Sequence, residues 1–103
     1  MIRRRRFAEV IASQLDLFER EEAALIADCE AAERAYDRAP RDEAEERYGD
    51  YVDLVETGTE ALAALRDNYA STLPVDTADE YEHAFNRAVQ KRLPRFALEI
   101  EDT

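Results

Sequence analysis

Two stripes of apolar positions run through the chain, each with spacing that alternates between four and three. The first takes Ala8, Ile11, Leu15, Phe18, Glu22, Leu25, Cys29, Ala32 and Tyr36. The second takes Ala44, Tyr48, Tyr51, Val55, Gly58, Leu62, Leu65, Tyr69 and Thr72. This heptad period places every member of a stripe on one side of an α-helix. Pro40 lies between the stripes, where a helix interior does not tolerate it. The pattern predicts an all-α fold: a long antiparallel helical hairpin made of helices over residues 3–38 and 41–71, with the two seams facing each other. Folding at Pro40 sets Tyr36 against Ala44, Ala32 against Tyr48, Phe18 against Leu62 and Ile11 against Tyr69. Asp42 with Glu45, and Thr77 with Glu80, have the spacing of capping boxes for the second and third helices.

A third, shorter helix is predicted over residues 77–93, with Tyr81, Ala84, Phe85, Ala88 and Val89 inward. The apolar face of the hairpin widens away from the turn, through Val10, Leu17, Leu54, Ala61 and Leu73. The third helix is therefore expected to pack at that end. Beyond Pro94, Phe96, Leu98 and Ile100 alternate with polar or small residues, and this period of two predicts an extended tail over residues 94–103, with a short helical turn as the alternative. A single domain covers residues 1–103.

Two seam positions break the pattern. Gly58, costly inside a helix, is expected to make room for a bulky neighbour. Glu22 falls opposite Gly58 and Thr59. It either reaches out to solvent at the edge of the seam, with or without a hydrogen bond to Thr59, or forms with Thr59 a polar layer that fixes the register.

Composition sharpens this picture. Two Gly and three Pro in 103 residues leave few turns for a β-rich fold, and 38% charged residues suit long solvated helices. The acidic balance raises disorder as an alternative, but 46% of residues are apolar and they are phased. The net charge is −11 and uneven: Arg3, Arg4, Arg5 and Arg6 are four of the 14 basic residues, leaving ten against 25 acidic ones, or −15, in residues 7–103. Such a body argues against general nucleic-acid or anionic-membrane binding. The arginine run is a candidate anion-binding segment, a solvated start, or a partner for the acidic end at Glu99, Glu101 and Asp102. No apolar run is long enough to span a membrane. The acidic residues after the arginines leave no hydrophobic core for an export signal. With Cys29 as the single cysteine, and on the seam, a reducing cytoplasm fits.

Candidate chemistry is thin. Glu80 and His83 form one Glu-x-x-His step, of which a di-metal bundle site needs two with further Glu ligands. There is no second His, no Cys pair, no Gly-rich phosphate loop, and no nucleophile motif around Ser13 or Ser71. No cofactor, metal site or catalytic residue is assigned. The expected function is that of a non-enzymatic protein–protein interaction module, self-associating as a dimer through apolar helix faces. Tyr36, Tyr48, Tyr51, Val52 and Leu54 supply its surface. Two other classes remain open: a regulator that holds nucleic acid or a phosphate-bearing ligand through Arg3–Arg6, and a small carboxylate-metal enzyme.

Overall fold

A computed structural model describes residues 6–100, with only the backbone of residues 98 and 99, and every regular element among them is helical. In chain order these are α1 (Ala8–Glu21), α2 (Ala23–Arg38), α3 (Ala44–Ala70), α4 (Val75–Arg92), a 3₁₀ turn (Pro94–Phe96) and α5 (Ala97–Ile100). The molecule is elongated, 51 × 23 × 23 Å. No helix among the described residues is long and apolar enough to cross a membrane.

Each proline marks a boundary. Ala39 is extended (φ −68°, ψ 138°) because the ring of Pro40 excludes the helical conformation from the residue before it. Pro74 precedes α4, and Pro94 opens the 3₁₀ turn. Neither predicted capping box forms: no side-chain hydrogen bond caps α3 or α4. Instead Glu43 stands at the N-cap of α3, and α4 begins at Val75, two residues before the predicted start, with Thr77 inside its first turn.

The first predicted helix is two. Glu22 leaves helical geometry (φ −108°, ψ 25°) and separates α1 from α2. No Gly or Pro stands there, so the cause lies in packing. One turn earlier, the Phe18 ring meets the Phe96 ring edge-on at 5.7 Å, and Phe96 in turn lies over Gly58 of α3. The Phe96 side chain therefore occupies the space in which α1 and α3 would otherwise close. Beyond that wedge α1 runs alongside α4, while α2 keeps α3 as its neighbour. The predicted seam thus fails in its far half: α1 and α3 do not run side by side. Tyr81 of α4 stands between their ends instead, 5.4 Å from the Phe7 ring and 4.8 Å from the Tyr69 ring.

The predicted extended tail is also corrected. Residues 94–100 form the 3₁₀ turn and α5, which bury Phe96 and Ile100, four positions apart, on the same helical side. The apolar period of two seen in the sequence gives way to this i, i+4 pair. Gly58 does admit a bulky neighbour, and the neighbour is Phe96.

The core is lopsided. Ile11, Leu15, Phe18, Leu62, Tyr81, Phe85, Val89, Phe96 and Ile100 are all buried, and α2 adds only Cys29. Between Cys29 and Gly58 no residue is buried. The molecule is a packed body of α1, the second half of α3, α4 and α5, from which the end of α2 and the start of α3 project.

Candidate functional site

The projecting end carries Tyr36 in the last turn of α2 and Tyr48 in the second turn of α3. Their rings pack on each other at 5.3 Å with a 55° tilt, so Tyr36 meets Tyr48. They remain 40% and 52% exposed. Two aromatic rings that pack on each other yet stay wet are typical of contact surfaces, where an amphipathic ring serves both a dry and a hydrated state.

One turn nearer the body, Tyr51 is half-buried. Its hydroxyl accepts a 3.3 Å hydrogen bond from Nη1 of Arg95, whose guanidinium also lies 5.6 Å above the Tyr51 ring. The same nitrogen is 3.1 Å from Glu33 of α2. Arg95 therefore ties the C-terminal segment to both projecting helices. Burial works against its charge, but Tyr51 and Glu33 more than offset this and hold its pKa above that of a free arginine. Tyr48, Tyr51, Val52 and Val55 wall a groove of about 240 Å³, with Thr59, Arg95 and Phe96 at its inner end. Leu54 does not line this groove. It is half-buried and packs against the core, on the other side of α3 from Val52.

Of the proposed polar layer, Thr59 is buried and its hydroxyl donates to the Phe96 carbonyl at 3.4 Å. Glu22 is half-buried at the break between α1 and α2. The hydroxyl thus fixes the C-terminal segment on α3. Of the arginine run, Arg3, Arg4 and Arg5 lie outside the described residues. Arg6 is exposed, 3.7 Å from Glu80 and 5.6 Å from the centre of the Phe7 ring. The acidic residues Glu101 and Asp102, considered as partners for that run, are likewise outside the described residues.

His83 lies 3.8 Å from Asp79, both well exposed, on the solvent side of α4. Among the described residues no group of three His, Cys, Asp or Glu side chains could hold a metal ion. Cys29 is fully buried, and burial first, then the neighbouring Asp28 and Glu30, push its thiol pKa up, with Arg95 opposing. A protonated, inaccessible thiol is a poor nucleophile.

Arg66 escaped the sequence reading. It is buried in α3, where Nη1 donates to Asn86 of α4 at 3.0 Å and to the Ile100 carbonyl at 2.7 Å, and Nε donates to Asp67 at 2.9 Å. The cation thus joins α3, α4 and the last described turn. The available signal was its setting: Leu62, Ala63, Tyr69 and Ala70 flank it at helical spacing, making Arg66 a lone charge on an apolar face. Arg92 makes a second cross-link, from the end of α4 to Asp16 and, at 2.7 Å, to Glu19 on α1.

The sequence matches no protein-family model and no curated protein, and the structure matches no solved structure.

Proposed function

We propose that this chain is a non-enzymatic protein–protein interaction module. It acts in the cytoplasm and self-associates through apolar helix faces. In this reading α2 and α3 work as an antiparallel hairpin arm. Its tip and adjoining groove, Tyr36, Tyr48, Tyr51 and Val52, are the docking surface, and Leu54 anchors that stretch of α3 to the body.

The observation that carries the reading is the distribution of buried side chains. Nothing is buried between Cys29 and Gly58, yet this stretch holds two half-exposed tyrosines in ring contact and the groove below them. A helix pair that adds so little to the core is poorly explained by stability alone. A slim arm also offers few enclosed positions in which acid–base or nucleophilic groups could work on a substrate.

The test is a comparison of partner capture by the wild-type chain with capture by Tyr36→Ala and Tyr48→Ala. Both side chains are exposed but pack on each other, so either truncation should lower stability by about 0.5–1.5 kcal/mol, the worth of one aromatic pair. A protein retained by the wild type and lost with either variant, at unchanged helicity and with only a small fall in melting temperature, is the expected result. Equal retention by all three chains removes the tip from the function.

A further inference from the structure

The groove beside the tyrosine tip already holds one arginine, and that contact shows what the groove recognises. Arg95 enters at the inner end, lies 5.6 Å above the Tyr51 ring, donates to the Tyr51 hydroxyl and pairs with Glu33 at 3.1 Å. A tyrosine ring with a carboxylate beside it suits a guanidinium, which stacks on the one and pairs with the other. The outer end of the groove repeats this combination. Tyr48 is 52% exposed, and exposed Glu45 stands one turn before it on α3. Glu45, Gly49 and Glu56 follow at helical spacing along the outer edge, next to the wall of Tyr48, Val52 and Val55. This edge is open, since a Cβ at Gly49 would meet nothing within 4 Å. Among the described residues neither Glu45 nor Glu56 is in an ion pair, and Arg47 of the same helix is held by Glu43 and Asp50.

Charge selects the occupant. Residues 30–57 hold ten carboxylates against four arginines, so the arm favours a cationic segment. The chain carries one: Arg3, Arg4 and Arg5, preceded by the apolar Ile2. We infer that the outer groove binds residues 2–5 of a second copy of this chain. Its arginines lie over Tyr48 and pair with Glu45 and Glu56, and its Ile2 rests on Val52 and Val55. This rests on the self-association proposed above and names the segment that meets the tyrosine surface.

The arginine run of the same copy cannot serve. Arg6 pairs with Glu80, and the Phe7 ring lies against Tyr81, which also touches Tyr69 near the end of α3. Tyr48 is roughly 30 Å from there along α3, at about 1.5 Å per residue. The backbone at Arg3 reaches at most about 11 Å beyond Arg6, and even an extended side chain leaves it short of Tyr48. A second copy is therefore required. When two copies lie antiparallel, each gives its arginine run to the other's groove, and the exchange closes as a dimer.

Sedimentation equilibrium of the full chain tests this with charge reversals on the two sides of the contact: Arg3→Glu, Arg4→Glu and Arg5→Glu together, and Glu45→Lys with Glu56→Lys. Each variant alone should keep its helicity and dimerise about ten-fold or more weakly than the wild type, because each reversed contact is made twice. The lysine variant is the sharper of the two. Copies carrying a net charge of −11 repel each other, so added lysines by themselves would strengthen association. Glu46→Lys with Asp53→Lys makes the same charge change on the other side of α3 and should leave dimerisation at least as strong as the wild type's. An equimolar mixture of the arginine and groove variants should recover dimerisation, since each segment then meets a groove of opposite sign. A groove variant that dimerises as the wild type does, a mixture that recovers nothing, or equal loss in the Glu46 and Asp53 control overturns the contact and leaves the proposed self-association standing. A wild-type chain that stays monomeric at high micromolar concentration removes this inference and the self-association together, while the tyrosine capture experiment is unaffected. If a synthetic peptide of residues 1–7 still binds that monomer and not the groove variant, the groove serves an arginine-rich segment of another protein and the second copy is overturned.

Discussion

The two glycines of this chain sit in the same helix and do opposite things. An added Cβ at Gly49 would meet nothing within 4 Å, while one at Gly58 would overlap the Phe96 ring. Gly49→Ala should therefore stabilise by about 0.5–1 kcal/mol, the ordinary helix-propensity gain. Gly58→Ala gains the same propensity but overfills a site closed by Phe18 and Phe96, and overpacking costs roughly 1–3 kcal/mol. The expected outcome of parallel urea titrations is a raised midpoint for Gly49→Ala and a lowered one for Gly58→Ala. A stabilised Gly58→Ala would mean that the Phe96 ring moves aside freely, against its near-complete burial.

Tyr81 allows a second residue-scale prediction. Burial raises its pKa to about 12, partly opposed by the hydrogen bond in which its hydroxyl donates to Gln14 at 2.8 Å. The unfolded chain releases this proton near pH 10, so above that point the native state holds more protons than the unfolded one. The contribution to stability is complete below pH 10 and is lost as pH rises through about 12. Denaturation midpoints of the wild type should fall between pH 10 and 12 more steeply than those of Tyr81→Phe. Tyr81→Phe should itself cost about 1 kcal/mol at neutral pH through the lost hydrogen bond. Parallel pH profiles for the two chains would show that the phenol ionises in the folded protein without penalty.

At the scale of elements, the sequence was readable wherever local chemistry decides. Pro40, Pro74 and Pro94 all fall in or beside the connections, because ring geometry forbids them a helix interior whatever the tertiary context. That α2 and α3 pack on each other was legible because neighbours joined by a short turn do so. The break at Glu22 was not legible. No residue near it disfavours a helix, and the wedge that causes it, Phe96, lies 74 positions away in sequence. The C-terminal segment misled for a related reason: Phe96, Leu98 and Ile100 fit a period of two, and only the surface of α3 decides that the segment coils and buries Phe96 and Ile100. Arg66 shows a third limit. A heptad scan skips a charge beside the seam, although its apolar neighbours mark it as buried and as needing the acceptors it finds on Asn86 and Ile100.

For the whole molecule, the uneven core sets how stability is distributed. Local opening is cheapest where few apolar contacts must be broken, and costs the full unfolding free energy only where the core is dense. The arm, with no buried residue between Cys29 and Gly58, falls in the first class, and α4 with the second half of α3 falls in the second. Native-state hydrogen exchange should then resolve two regions. Amides of residues 30–38 and 44–52 should exchange through local opening, with protection nearly independent of mild denaturant. Those around Leu62, Phe85 and Val89 should exchange only with global unfolding, and their protection should fall with the full denaturant slope. Arg95 marks the expected border, since it binds Glu33 and Tyr51 of the arm from the C-terminal segment of the body. The same logic links the pattern to the proposed role. A partner that docks on the tip should raise protection in residues 30–52 selectively, because it supplies the burial that the arm lacks. Uniform protection along α2 and α3 in the free chain would show one cooperative unit, and the arm would then need no partner to complete it.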